Sequence, residues 1–445
     1  MTTPSLQDGI DKAGSPIKLL WKPNPPVQKV PVVEPEFVGW AEEQSAWREG
    51  VVLYDLCHHM NDLFIEGPDA TKLLKAVSAN DYENFVIGQA KQFIPVTAKG
   101  DIITDGILMR MEAEKYILSG VPASQTWVRY HAEKGGYDVT CVADPDSANR
   151  RTGGPPVMFR YQLQGPKAME VAERALGGPA PKVKFFHSEE VTIAGRKLRA
   201  FRHGMAGQPG FELLGWWEDN DAVKAALLAA GEPSGMVQVG GLAYYTNGIE
   251  SGWIPTPTPG IYSDPDLEDY RKFASLFSYE GQKPIHGSFF SENIEDYYVS
   301  PYELGYGRSI SFNHDFIGRE ALEKAKDNVP RVRATLVFNP DDVRDVLGAD
   351  PGYLLRYARD RVEVGDKLVG LSMYTAFFPE HGTVLSLGLV DKAYATPGTE
   401  VTIAWGEHPG PGTPPEAHLA FPRIRATVEA SPYDQFARTG YRAAS

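Results

Sequence analysis

The segment Arg202-His203-Gly204-Met205-Ala206-Gly207-Gln208-Pro209-Gly210 runs directly into Phe211-Glu212-Leu213-Leu214. Three glycines make a tight, flexible loop. On the strand that follows, successive side chains alternate faces, so Glu212 points away from Phe211 and Leu213. A carboxylate held this way accepts two parallel hydrogen bonds from a planar donor pair. A guanidinium offers that fork, and so does the amino-pyrimidinone edge of a pterin. On residue types alone, a glutamate beside a loop is more often a surface carboxylate. A second constellation is Asp55-Leu56-Cys57-His58-His59-Met60. It reads as a half-apolar strand with adjacent histidines on alternate faces, so at most one meets a given cleft. Histidine titrates nearest neutrality and suits proton transfer, although a lone histidine is more often structural. Cys57 has no evident partner to lower its pKa and reads as a small pocket filler. A third run, Gly241 to Trp253, carries Tyr244 and Tyr245 and ends at a proline-rich stretch, Gly252 to Asp266. Either tyrosine suits a core, and Trp253 suits a packing anchor as well as a ligand wall. No metal-ligand spacing links the ten histidines, and no phosphate-cradling glycine loop is present.

These residues sit on elements with a repeat. Ile65-Glu66-Gly67-Pro68-Asp69-Ala70 and Leu163-Gln164-Gly165-Pro166-Lys167-Ala168 share one pattern. Each reads as strand, Gly-Pro turn and amphipathic helix (Thr71 to Val77; Met169 to Leu176), which predicts two pseudo-symmetric α+β modules with a ligand cleft between them. Residues 1–39 are polar and then proline-rich, predicting an extended arm over Trp21 to Pro35. Trp40 to Arg48 is a short helix closed by Gly50. Asn149 to Pro156 reads as a linker, and Gly252 to Asp266 as a long ordered loop of the kind that is often functional. Beyond Pro330, short β-like runs alternate with turns, predicting a separate β-rich domain. The formal charge of −14 argues against nucleic acid. No apolar run approaches a membrane span, and the N-terminus lacks the pattern of a signal peptide. With only Cys57 and Cys141, the expectation is a cytoplasmic protein without a disulfide framework.

In this order, Tyr54 to Ala70, Leu163 to Ala168, His203 to Leu213 and Tyr302-Glu303-Leu304-Gly305-Tyr306 through Phe316-Ile317-Gly318-Arg319-Glu320-Ala321-Leu322 resemble the aminomethyltransferase (glycine-cleavage T-protein) superfamily, over roughly residues 40 to 410. The resemblance implies an α+β, three-domain ring around tetrahydrofolate. It implies a folate-binding module from residues 1–50 with 151–260, a second from 51–150 with 261–330, and a β-rich C-terminal domain over 331–445. It also implies cofactor contacts from Glu212, Gln164 and Trp253. The chain departs from glycine-cleavage relatives where Thr104 breaks their paired aspartates ahead of Asp105. The runs around His59 and Tyr244 instead resemble bacterial tetrahydrofolate-dependent aryl O-demethylases acting on lignin-derived methoxybenzoates. By that resemblance His59 and Tyr244 are catalytic, and Leu56, Cys57, Met60 and Tyr244 face the substrate.

The implied reaction moves a methyl group from an aryl ether to N5 of tetrahydrofolate, giving 5-methyltetrahydrofolate and a phenol. The leaving group is a phenolate, so a positioned proton donor contributes roughly 10²–10⁴-fold. Apolar walls at Leu56 and Cys57, with no carboxylate anchor around Val30 and Val121, favour syringate, with vanillate or 3-O-methylgallate next. Two other readings stay open: one-carbon transfer from a sulfonium or N-methyl amine donor, and a folate-binding module without catalysis. No metal is expected, and the substrate is a small aromatic methoxy acid.

Overall fold

The computed structural model describes residues 3–26, 30 and 32–442. The repeat legible in the sequence extends over seven elements. The first copy runs Asn61–Glu66, helix Ala70–Val77, strands Ala90–Phe93, Gly106–Glu112 and Lys115–Gly120, helix Pro122–Gly135 and strand Thr140–Ala143. The second runs Met158–Gln164, helix Ala168–Leu176, strands Ser188–Ile193, Arg196–Phe201 and Gly210–Trp216, helix Asn220–Gly231 and strand Val237–Val239. The Gly-Pro turns are built alike. Gly67 and Gly165 both have positive φ, and a Cβ at either would lie 2.5 Å or less from a backbone carbonyl oxygen. Only glycine fits such a close approach in that conformation.

The first copy forms a five-stranded antiparallel sheet. The second has six strands, because Val52–Asp55 inserts between Val237–Val239 and Met158–Gln164. The chain therefore crosses between the sheets at Leu56–Met60, and not at the expected boundary near Val51. This also corrects the expectation that both histidines lie on a strand. His58 and His59 occupy the turn joining Val52–Asp55 to Asn61–Glu66. The alternating pattern continues through a crossover, where periodicity carries no information on direction.

The N-terminal segment also differs from the expected polar run and arm. Leu6–Ala13 is a helix with a Ser5/Asp8 capping box, and Ser15 caps Pro16–Leu20. Leu6, Ile10, Ile17 and Leu20 from these helices are buried in the largest core. Helix Trp40–Glu49 is closed by Gly50 as expected. In the C-terminal domain, strands Lys367–Phe378, Asp360–Val364, Glu400–Ala404, Arg423–Glu429, Arg331–Phe338 and Thr383–Asp391 close into a six-stranded barrel. Closure leaves the barrel without free edges. The chain end returns to the second repeat, where Tyr441 donates from its hydroxyl to the Gly204 carbonyl at 3.0 Å. No helix among the described residues is long and apolar enough to cross a membrane.

The two sheets meet through an apolar cluster that includes Met109, Ile117, Met158, Phe201 and Leu214. Beside it lies a buried ion network. Arg160 donates to Glu212 Oε1 at 3.0 Å, to Asp62 Oδ1 at 3.1 Å and to Ser119 Oγ at 2.8 Å. Arg160 and Glu212 belong to one sheet, Asp62 and Ser119 to the other. Burial pushes both carboxyls up, against the pull of Arg160. Replacing Arg160 by Met strands two carboxylates in the interior, and we expect a loss of about 3–5 kcal/mol in unfolding free energy, read from the urea midpoint. Converting Asp62 and Glu212 to Leu in the same variant should recover most of it. A loss for Arg160→Met below roughly 1 kcal/mol, the range of an exposed pair, would contradict the buried network.

Candidate active site

The cleft between the sheets and the barrel has a volume of about 430 Å³. Each structural unit contributes to it. The crossover turn brings His58, His59 and Met60, and the first repeat brings Val121 at the head of helix Pro122–Gly135. The loop His203–Gly210 brings Met205, and short helices Gly241–Tyr244 and Asn247–Ser251 bring Tyr244 and Asn247. The barrel adds Tyr357 and Tyr374, whose rings stack at 5.1 Å.

His59 and Tyr244, expected as a catalytic pair, do meet here, with ring centroids 5.1 Å apart in an edge-to-face arrangement. Their residue types left open which of the two donates a proton, and their surroundings differ. His59 Nδ1–H donates to the Leu56 carbonyl at 2.5 Å, which leaves the Nε2 lone pair as the ring's free function. The ring is enclosed on most sides. Burial, helped by the charge of Arg160, lowers its pKa to about 3. At neutral pH His59 is therefore a hydrogen-bond acceptor and cannot deliver a proton as imidazolium. Tyr244 is buried, and its hydroxyl donates to Met205 Sδ at 3.2 Å. Burial raises its pKa well above the usual phenol value, with the neighbouring Tyr245 adding to the effect. It stays protonated and remains the donor of the pair.

Trp253 lines the cleft, held from behind by Asp105. Asp105 Oδ2 accepts from Trp253 Nε1 and from the Tyr306 hydroxyl, each at 2.7 Å. The departure at Thr104 also acquires a function. Its hydroxyl accepts from Ser124 N at 3.0 Å, satisfying an amide in the first turn of helix Pro122–Gly135.

Met60 lines the cleft, whereas Leu56 and Cys57 do not. Leu56 packs with Val52, Tyr54 and Tyr244 in one core, and Cys57 with Tyr161 and Leu163 in another. Cys57 Sγ accepts from Arg160 N at 3.3 Å, and burial pushes its thiol pKa well up. The expectation that these two residues face the substrate is therefore corrected. A turn at Leu56–Met60 sends them inward. Val30 joins the Leu56 core, behind Tyr244.

Gln164 is also corrected. Its Nε2 donates to the Gln208 carbonyl at 3.0 Å, and its Oε1 accepts from Ala206 N at 3.1 Å and from Gln162 Nε2 at 3.2 Å. These bonds clamp the glycine loop and leave the amide little capacity for a ligand. Glu212 is 5% exposed, not a surface carboxylate. It lies outside the cleft lining, and its Oε2 takes no hydrogen bond among the described residues. Its strand neighbour Gln162 accepts from the backbone of Met205, which does line the cleft.

Sequence reasoning missed Asn247. The side chain is buried at the cleft with both amide atoms unpartnered, the Tyr54 hydroxyl lying beside it without closing a hydrogen bond. The Tyr279 hydroxyl is likewise buried and unpartnered. Two further cations, Lys283 and Arg359, donate to the carbonyl of the lining residue Thr256 at 2.9 and 3.1 Å. Flat aromatic walls with unpaired donors and acceptors fit a flat heterocycle with a polar edge.

The family described as the GCVT N-terminal domain matches residues 23–256. Syringate O-demethylase from Sphingobium sp. (strain NBRC 103272 / SYK-6) is 39% identical, covering 98% of this chain and 97% of that protein. Sesamin methylene transferase from Sinomonas sp. (strain No.22) is 31% identical, covering 83% and 82%. The crystal structure of glycine cleavage system aminomethyltransferase T from Bartonella henselae superposes with a TM-score of 0.59 at 20% identity, covering 91% of each chain.

The depressed histidines make two predictions. His203, close to Arg160, is also lowered to about 3 by burial. The unfolded chain binds protons on both rings below the ordinary 6.5, and the folded chain does so only near 3. Stability from these groups is therefore complete above about pH 6.5 and is lost as pH falls toward 3. Melting temperatures from pH 7 to 4 should fall less steeply in His203→Gln than in the parent. Activity should show no inflection near pH 6.5 that His59→Gln removes; such an inflection would restore an imidazolium acid. Separately, Asp105→Ala frees the Trp253 indole, and its fluorescence should shift in maximum and rise in anisotropy decay amplitude.

Proposed function

The chain belongs to the GCVT family, and on that premise we propose that it transfers a methyl group from a methoxybenzoate to tetrahydrofolate. Tetrahydrofolate is the one-carbon carrier of this family, and when bound it supplies N5 as the methyl acceptor. In this reading the Asn247 amide meets the polar edge of the pterin and Trp253 meets its face, while Glu212, outside the cleft lining, holds the sheets behind them through Arg160. Such positioning is worth up to roughly 7–11 kcal/mol where acceptor, methyl carbon and ether oxygen are aligned.

One observation carries the reading. The cleft pairs a protonated Tyr244 hydroxyl with a neutral His59 at 5.1 Å between ring centroids. A hydroxyl donor suits the ether oxygen, where negative charge develops as the carbon–oxygen bond breaks. The Nε2 acceptor suits the free phenol hydroxyl that neighbours the methoxy group in syringate or vanillate, and so orients the ring. Met60, Met205 and Val121 give adaptable apolar walls, which suit a second methoxy group. We place syringate first, with vanillate and 3-O-methylgallate next. Aromatic walls also suit a sulfonium or quaternary amine, but no carboxylate lines this cleft among the described residues and Arg151 does. That charge pattern disfavours a cationic donor.

The test is anaerobic incubation with tetrahydrofolate and a panel of methoxybenzoates, with mass spectrometry for methylated folate and the matching phenol in equal amounts. Tyr244→Phe should lower kcat by about 10²–10⁴-fold. His59→Gln should act mainly through KM of substrates bearing a free phenol. Absence of any phenol product across the panel would sink the proposal, and turnover of vanillate far above syringate would reverse the order of substrates.

A further inference from the structure

The proposed substrate is an acid, yet the cleft lining holds one cation among the described residues, Arg151, and that residue is exposed. Val121 lines the cleft and Val30 lies behind Tyr244, and neither can hold a carboxylate. Two further cations stand directly behind the wall. Lys283 follows helix Tyr279–Gln282, and Arg359 precedes barrel strand Asp360–Val364. They are 6% and 4% exposed. Both donate to the carbonyl of the lining residue Thr256, at 2.9 and 3.1 Å, and Arg359 donates also to the carbonyl of Tyr357, another lining residue, at 2.8 Å. Neither cation has an ion pair among the described residues, and Arg359 Nε has no partner at all. The acids nearest in sequence turn elsewhere. Glu280 accepts from the Tyr270 hydroxyl at 3.0 Å, and Asp360 from Ser288 N at 3.0 Å.

Two buried charges of one sign, with no counter-charge, are costly. Burial, with Arg359 adding to it, pulls the Lys283 amine well below the usual lysine value, and burial lowers Arg359 to about 10. An anion placed over the pair offsets that cost. The wall in front of the pair already carries a donor for one. Tyr279 lines the cleft, its ring centroid lies 5.4 Å from Lys283 Nζ, and its hydroxyl is buried without a partner. Burial keeps this hydroxyl protonated, against the pull of Arg359. A hydroxyl donating to a carboxylate forms a short, charge-assisted bond. We propose that the carboxylate of the substrate ring docks at this wall, accepting from the Tyr279 hydroxyl and lying over Lys283 and Arg359. The acid group is then held by residues other than the pair that acts on the ether. The proposal rests on the methoxybenzoate reading above and deepens it. It assigns to these three residues the selection of acids over neutral methoxyarenes.

The experiment compares syringate with 2,6-dimethoxyphenol, the same ring without its carboxylate, as methyl donors to tetrahydrofolate. The parent should have the higher kcat/KM for the acid, expressed mainly through KM. Tyr279→Phe removes a hydroxyl that has no partner in the protein, so its melting temperature should match the parent's. In that variant the ratio of the two kcat/KM values, acid over neutral, should fall roughly 10–100-fold, the range of one hydrogen bond to a charged group. Lys283→Met should lower the same ratio, and if it does not fold, Tyr279→Phe decides alone. Because the cations are buried, the parent's preference should persist in added salt, which screens exposed charges far more. Four results would overturn the assignment while leaving methyl transfer standing: no preference for the acid in the parent, an equal loss on both substrates in Tyr279→Phe, a preference that salt abolishes, or one that Arg151→Gln removes and Tyr279→Phe keeps. Absence of a demethylated product from both substrates in the parent would remove this inference together with the functional reading beneath it.

Discussion

Arg160 is the point on which the arrangement turns. It lies five residues before the turn glycine of its repeat, and Asp62 lies five before the glycine of the other (Gly165 and Gly67). The two repeats thus place opposite charges at equivalent positions, and those charges meet at 3.1 Å. Two copies of one module bury similar apolar faces, and apolar contact alone leaves their relative register weakly fixed. A buried ion pair contributes little net stability but strongly penalises arrangements that break it. With Ser119 and Glu212 also bound to the same guanidinium, the two sheets have one register. That register sets where the crossover turn carrying His59 sits relative to the helix carrying Tyr244.

The same charge acts on chemistry. Arg160 adds to burial in keeping both His59 and His203 neutral. A network that looks purely architectural therefore adds to the burial that leaves the cleft with an imidazole lone pair. Trp253 in the cleft wall is tied to a third buried carboxylate, Asp105, which binds Trp253 and Tyr306 together. In both places a carboxylate that could have entered the cleft is drawn behind it by donors.

What the sequence made legible was local. The Gly-Pro turns, the helix closed by Gly50 and the β-rich end after Pro330 depend on turn chemistry and short-range periodicity, and all are present. The Ser5/Asp8 capping box was equally local and was simply overshadowed by the prolines that follow. The site was legible only in part. His59, Met60, Tyr244 and Trp253 reach the cleft. Leu56, Cys57 and Gln164 do not, because a turn and a clamped loop redirect them, and neither is visible in residue types. The insertion of Val52–Asp55 into the other repeat's sheet, the meeting of Asp62 with Arg160 and the unpaired amide of Asn247 are long-range facts that no window of sequence contains.

The lack of acids in the cleft lining among the described residues gives these placements a common physical sense on the proposed reading. Where the leaving group is a phenolate, a carboxylate beside the reacting atoms opposes the charge that must develop. At about 4 Å and an effective dielectric near 20, that opposition is roughly 4 kcal/mol, or about three orders of magnitude in rate. Thr104 carries no charge, and its hydroxyl satisfies an amide in the first turn of helix Pro122–Gly135. The remaining acid, Asp105, faces three donors (Trp253, Tyr306 and Gln92) and is screened from the cleft by the indole it holds. The cleft that results has donors, a neutral acceptor, one cation at Arg151 and no acid among the described residues. It is a field suited to releasing an anion, and the chemistry of an ether donor differs from that of an amine donor in just that requirement.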